Sequence, residues 1–316
     1  MSFKSASGYG GLEGTPLARI GYYNKIIARA WETDFIPEIV NSEIDERITR
    51  CNQKVQFLRQ PQVGPWRKYD KNQELIPNQL TPESFCMEIC NAAYNDIKID
   101  KMDVQQACER WAEWEASFLE STYQSLTEMW RTWVLSGMVL ETSARNKGNK
   151  AGKWRNIDLG APGKPLQVTP QNVHRALARL QRVLRDTHRW EEGKMFIVIP
   201  TALKEILVSS PYANAAWMGD CVPCSMNIDG LLPKKLMGFN VIESTYSPTV
   251  YDQTGDVAYY IIAGHNQAFA FAADIIEGRL IEPDRTFGIE YQMLAVWGGK
   301  MIYPDAMAIG YWTLGE

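Results

Sequence analysis

The chain has 316 residues, 45% of them hydrophobic, with 33 Lys and Arg against 37 Asp and Glu for a net charge of −4. That length suits one large domain or two modest ones, and the apolar content excludes a disordered chain. The mild acidity excludes a dedicated nucleic-acid binder, which carries a basic footprint, and no apolar run approaches the roughly 20 residues of a membrane span.

Residues 1–40 open on a Gly/Ser-rich tip, Ser5-Ala-Ser-Gly-Tyr-Gly-Gly, and pass Pro16 to a predicted helix near Leu17–Ala30. This reads as an arm that orders on contact with neighbours. It lacks the charged-then-apolar order of a signal peptide, so synthesis and retention in a cytoplasm are expected.

From Arg47 to Gln60 apolar and polar residues alternate around Val55 and Phe57, the pattern of a strand with one covered face. Pro61, Gly64 and Pro65 end it, and Pro77 and Pro82 keep the following excursion irregular. A returning arm, Ser84–Asp100, puts Phe85, Met87 and Ile89 on one side. A lone two-stranded ribbon is marginally stable in water, so this one calls for a partner surface. At the excursion, Trp66-Arg-Lys-Tyr69 mixes aromatics with charge, the composition of contact hot spots, and Trp66, Arg67, Lys68 and Tyr69 are the candidate intersubunit residues.

Asp100 sits where an N-cap belongs, with Asp103 in the first turn. Val104, Cys108, Trp111, Phe118, Thr122, Leu126, Met129 and Trp133 then recur at three- and four-residue steps. One helix of about 50 Å is predicted, ending near Ser136-Gly137. Its charges are mostly acidic: Asp103, Glu109, Glu113, Glu115, Glu120 and Glu128 against Arg110 and Arg131.

Asn146–Lys164 is rich in Gly and Lys and reads as a loop. Thr169-Pro170 opens an amphipathic helix with Val173, Leu177, Leu180 and Leu184 on one face and His174, Arg175, Arg179, Arg182 and Arg185 outside it. That basic face could meet nucleic acid, but a solvated or intersubunit salt-bridged face fits the net charge better. Met195–Ile199 is a buried strand, Pro200–Leu207 starts a helix, and Tyr212–Leu232 has no period. Gly238–Glu243 and Ala258–Ala263 are strands, the second after a Thr254-Gly255-Asp256 turn, and Arg279–Glu290 and Tyr291–Tyr303 supply two more.

Cys221-Val-Pro-Cys224 has the spacing of a redox pair or half a zinc site, yet no second ligand pair lies nearby and no βαβ pattern surrounds it. Cys86, Cys90 and Cys108 read as small reduced hydrophobes. Three scattered histidines make no triad or metal cage, so no catalytic, metal or cofactor residue is expected.

The run Gln73-Glu-Leu-Ile-Pro-Asn-Gln-Leu, the strand from Ala93 to Gln106, Phe196-Ile-Val-Ile-Pro-Thr, Leu236-Met-Gly-Phe-Asn-Val-Ile-Glu-Ser and Val296-Trp-Gly-Gly-Lys-Met-Ile-Tyr-Pro-Asp-Ala follow one another in order. Together they resemble the tailed-phage major capsid proteins with the HK97-type fold over about Arg47–Ala308. The resemblance implies an α+β HK97-like capsid fold: an N-terminal arm (1–40), an extended β-hairpin E-loop with adjoining strands (41–101), a spine helix (102–140), an axial domain (141–276), and C-terminal strands returning beside the spine (277–316). It implies a non-enzymatic, icosahedral shell protein forming pentamers and hexamers around double-stranded phage DNA bound without sequence readout. The implied partners are a separate scaffolding protein, since the arm is short, a portal and in some relatives a cement protein; the implied site is the virion, assembled in the host cytoplasm. In the family the long helix lies toward the shell interior, where its acids would repel DNA; a solvated helix face explains them equally. Some relatives join subunits through a Lys on the E-loop, for which Lys68 and Lys71 lie in the right segment, but no matching Asn and carboxylate are found by motif. The alternatives are an encapsulin-type nanocompartment shell, which shares the fold, and a thiol or metal enzyme using Cys221 and Cys224.

Overall fold

The structure, a computed structural model, describes residues 34–41, 54–58, 64, 66–68, 71, 74, 77, 84–107, 111–210 and 235–315, with backbone only at 54–58, 85, 106–107 and 111–114. The predicted Leu17–Ala30 helix, the Tyr212–Leu232 segment, Tyr69, Cys51, Cys108, Cys221 and Cys224 lie outside the described residues. In chain order the elements are α1 (Ile36–Ile39), β1 (Lys54–Leu58), β2 (Ser84–Glu88), β3 (Asn91–Asp100), α2 (Lys101–Ala107), α3 (Trp111–Glu141), β4 (Leu166–Val168), α4 (Val173–Asp186), β5 (Met195–Ile199), α5 (Thr201–Ser209), β6 (Lys235–Leu236), β7 (Phe239–Glu243), β8 (Thr249–Tyr251), β9 (Val257–His265), β10 (Phe269–Ile281), β11 (Gly288–Met301) and β12 (Met307–Leu314). They fall into two compact units, one of residues 1–35, 91–133 and 273–297, the other of 36–90, 134–272 and 298–316.

The first unit joins the greater part of α3 to a three-stranded sheet in the order β10-β11-β3. Strand β11 runs antiparallel to β3 from Gly288↔Asp100 to Trp297↔Asn91. Opposite residues share a face, so Tyr291 and Ile97 lie together. Tyr291 meets α3: its ring centre is 6.0 Å from that of Phe118, and its hydroxyl donates to Glu115 Oε1 at 2.5 Å. Asp100 Oδ1 accepts the Met102 N–H at 2.8 Å, so the predicted cap at the start of α2 is present. Arg131 is 1% exposed; its Nε donates to Asp34 Oδ1 at 3.3 Å and its guanidinium lies 5.5 Å from the Phe35 ring centre.

The second unit is built on a seven-stranded mixed sheet, β4-β12-β9-β5-β7-β6, with β8 also paired to β9. All five residues of β5 are buried, as the unbroken apolar run Met195–Ile199 requires of a strand covered on both faces. Helices α4 and α5 cover the sheet through Val173, Leu177, Leu180, Leu184, Leu203 and Leu207. The Gly/Lys-rich loop is fastened to β12: Asn146 Nδ2 donates to the Asp305 and Met307 carbonyls at 2.8 Å each, and Leu159 O accepts from Tyr311 N. Gly160, at φ +83°, lies against the Tyr311 carbonyl, where any Cβ would collide. Tyr311 Oη donates to Asp252 Oδ1 at 3.0 Å, and Gly163 N donates to the same oxygen.

Several sequence expectations need correction. The returning arm is two strands, because β2 pairs with β1 while β3 pairs with β11. Arg279–Glu290 is no single strand: β10 ends at Ile281 and β11 begins at Gly288. Residues 307–314 are a strand of the larger sheet. They form β12, whose fully buried run from Met307 to Thr313 suits the middle of the larger sheet. Helix α4 starts at Val173, not after Thr169, because Thr169 O accepts the N–H groups of Asn172 and Val173 in a preceding turn.

The long helix differs in register and in end. Its buried residues toward the C-terminus are Thr127, Trp130, Arg131, Val134, Leu135 and Met138, while Leu126, Met129 and Trp133 are half-buried. Arg131, a basic residue of the predicted helix, is itself buried and is met by Asp34 and the Phe35 ring. Gly137 does not end the helix, which continues to Glu141, because its missing side chain makes room for Phe269: a Cβ there would stand 3.3 Å from the ring.

Replacing the buried Leu135 by Ala is expected to lower stability by about 2–5 kcal/mol, and replacing Leu140, 77% exposed, by less than about 0.5 kcal/mol. Equal effects in denaturant unfolding would return the helix to the register predicted from sequence. Burial, then the hydrogen bonds to Glu115 and Asp252, push Tyr291 and Tyr311 up to about 12. A raised folded-state value stabilises the protonated phenol, so this contribution is whole below about pH 10 and lost as the pH climbs toward 12. Thermal unfolding should show a falling melting temperature across that window, with a shallower fall in Tyr311→Phe.

Candidate intersubunit surface

The hairpin of β1 and β2 is antiparallel, with register from Lys54↔Glu88 to Leu58↔Ser84. Its described anchorage is at the root. Met87 is fully buried among Ala270, Ala272 and Ile302, with Tyr303 packed alongside. Gly298 lets the backbones meet: a Cβ there would stand 2.5 Å from Glu88 O and 2.9 Å from Ile89 Cα. Lys300 Nζ donates to Cys86 O at 2.9 Å. Sequence reasoning found Met87 but missed Gly298 and Lys300; a Gly pair inside a strand pattern was the available sign of a close backbone approach.

Beyond the root, Trp66 is 101% exposed, and Arg67 and Lys68 are exposed beside it. The structure thus brings three of the four candidate contact residues together at the surface, the fourth, Tyr69, lying outside the described residues. A fully exposed Trp has no packing role in its own chain and is the side chain that gains most from a partner.

The other candidates fare differently. Cys86 and Cys90, read from sequence as small reduced hydrophobes, are free thiols, and both are exposed. The basic face of α4 is largely spent within the chain: Arg179 donates to Asp158 O, Arg182 pairs with Asp186, and Arg185 lies 4.8 Å from the Trp190 ring centre. His174 Nε2 is 3.2 Å from Ser210 Oγ, and burial lowers its pKa. Among the acids of the long helix, Glu115 accepts from Tyr291 whereas Glu120 is exposed. Among the described residues, no group of three or more His, Cys, Asp or Glu could hold a metal, and no helix is long and apolar enough to cross a membrane.

No family model matches this chain, and no curated protein sequence does. Solved structures match at low identity over nearly full lengths. A structure from Mycobacterium phage Che8 has a TM-score of 0.66 at 15% identity, covering 91% of this chain and 98% of its own. The mature capsid of bacteriophage PhiM1 has a TM-score of 0.62 at 11% identity, covering 93% and 91% respectively. The capsid of Ralstonia phage GP4 has a TM-score of 0.62 at 10% identity, covering 98% of both chains. The fold is that of phage capsid subunits. Identities this low establish the shared fold alone.

In a stability assay, Trp66→Ala is expected to stay within about 0.5 kcal/mol of the parent, since nothing in its own chain buries the indole. Met87→Ala is expected to cost about 2–5 kcal/mol, because its cavity lies where the hairpin joins the body. A large loss on truncating Trp66 would show the indole packed within its own subunit.

Proposed function

We propose that the chain is a major capsid protein with HK97-type architecture, whose copies form the icosahedral shell around double-stranded phage DNA. One observation carries the reading: the likeness to phage structures spans at least 91% of this chain and at least 91% of each of the three matched chains. A shared single domain would leave long unmatched stretches on one side or the other. The hairpin supports it physically, since its buried contacts lie at the root and its described tip carries an exposed Trp and two exposed cations.

In this reading the work is burial and hydrogen bonding across repeated interfaces, with no turnover. Residues 41–101 serve as the E-loop lying across a neighbour, 1–40 as a second embrace, 102–140 as the spine, and the body of 141–276 as the axial domain closing pentamers and hexamers. Many individually weak contacts let misplaced subunits leave during growth, while their sum holds the finished shell. Scaffolding protein, portal and packaged DNA are the partners such a shell requires.

Electron micrographs of the purified full chain, alone and in lysate from cells producing complete particles, are expected to show closed shells or capsomers. Nuclease-resistant DNA should sediment with particles from the producing cells. Trp66→Ala, although folded, should lower the yield of shells. A chain monomeric at high concentration in both settings would overturn the reading; shells holding protein cargo and no DNA would make it a nanocompartment.

A further inference from the structure

Between Glu141 and Asp158 lie sixteen residues with five cations and no acid: Arg145, Lys147, Lys150, Lys153 and Arg155. This is unusual in a chain of net charge −4. Lys147 is used within the fold, its Nζ donating to the Val139 and Leu140 carbonyls at the end of α3, where a cation suits the helix dipole. The other four are exposed, and none makes an ion pair among the described residues.

The stretch that carries them is held firmly at its base. Ala151 and Ile157 bond each other in both directions, Ala151 N to Ile157 O at 2.7 Å and the reverse at 3.2 Å. Both side chains are buried in the core of the larger sheet. Gly152 N donates to Arg145 O, and Arg155 N closes a tight turn on Gly152 O. That turn lifts Lys153-Trp154-Arg155 into solvent, with Trp154 72% exposed and Lys153 Nζ 5.7 Å from its ring centre. The base is ordered by the core, while the apex buries nothing in its own subunit.

We infer that Lys150 and the apex Lys153–Arg155 form a contact surface that docks on a carboxylate-bearing surface of a second copy of this chain. The inference rests on the shell reading, in which each copy meets others through unlike surfaces. Double-stranded DNA would also attract the cations, but its phosphate backbone asks only for charge and its paired bases leave the exposed Trp154 without a role. Trp beside Arg is the pairing that carries protein contacts, with the ring filling a pocket and the cation meeting a carboxylate. A second copy supplies the complement, since the chain holds 37 Asp and Glu, including the exposed Glu120, Glu192 and Glu205.

Light and isotopically heavy full-length protein, co-assembled and joined with a carbodiimide that couples amines to carboxylates, should yield mixed light–heavy peptides from Lys150 or Lys153. Trp154→Ala and the double variant Lys150→Glu with Lys153→Glu should unfold at the parent temperature yet lose about tenfold or more of the assembled fraction at low salt. Links confined to single copies would overturn the inference, as would variants that assemble like the parent. Ultraviolet cross-linking of nucleic acid to Trp154 in parent particles would overturn it in favour of a nucleic-acid contact. A parent chain that never assembles brings down the shell reading and this inference together; normal parent shells with unaffected variants bring down the inference alone.

Discussion

The pairing of β12 with β9 is the constraint on which the larger unit depends. The two strands run antiparallel from Met307↔Gly264 to Thr313↔Ala258, and β4 adds in parallel on the far side of β12. Two glycines make the fit possible. A Cβ on Gly264 would strike Met307, and one on Gly310 would come within 2.6 Å of the Trp312 indole. Close packing penalises even one misplaced carbon, so this shape condition reaches every element resting on the two strands. The loop from Asn146 to Gly160 is one of them, held by Asn146 to the carbonyls flanking the start of β12 and by Leu159 to Tyr311.

That arrangement separates stability from recognition. Buried residues of β5, β9 and β12, with the inner faces of α4 and α5, form one core within the subunit. The exposed apices are carried on turns and hairpins whose bases are buried: Met87 under the β1–β2 hairpin, and Ala151 and Ile157 under the Lys153–Arg155 apex. Anchoring the base and leaving the apex exposed keeps the geometry of a contact without hiding its apolar area. In a shell assembled from many copies, such preorganised contacts lose less entropy on docking than mobile segments would.

Charge follows the same division. Buried cations are met inside the subunit, as Arg131 is by Asp34 and the Phe35 ring, because an unpaired charge in the interior costs far more than a surface one. Three of the four arginines of α4, Arg179, Arg182 and Arg185, are spent on a carbonyl, a carboxylate and a ring of their own unit. The exposed cations Lys150, Lys153 and Arg155 stand outside these arrangements, with no ion pair among the described residues.

Much of the element inventory was legible in the sequence because periodicity reports local burial. The alternation around Val55, the wholly apolar Met195–Ile199, the Leu177–Leu180–Leu184 face and the turn at Gly255 all stand where the pattern placed them. The exposed Trp66 was legible too, since Pro and Gly around it exclude regular structure. What only the tertiary structure decided were matters of partnership between residues far apart in sequence. Local pattern cannot tell that β12 inserts between β4 and β9, because the same apolar run suits either sheet. Nor can it tell that Gly137 serves Phe269 and not a helix end, or that Arg131 turns inward to Asp34. Each depends on an atom more than 40 residues away, and chain-local spacing carries no information about where that atom lies.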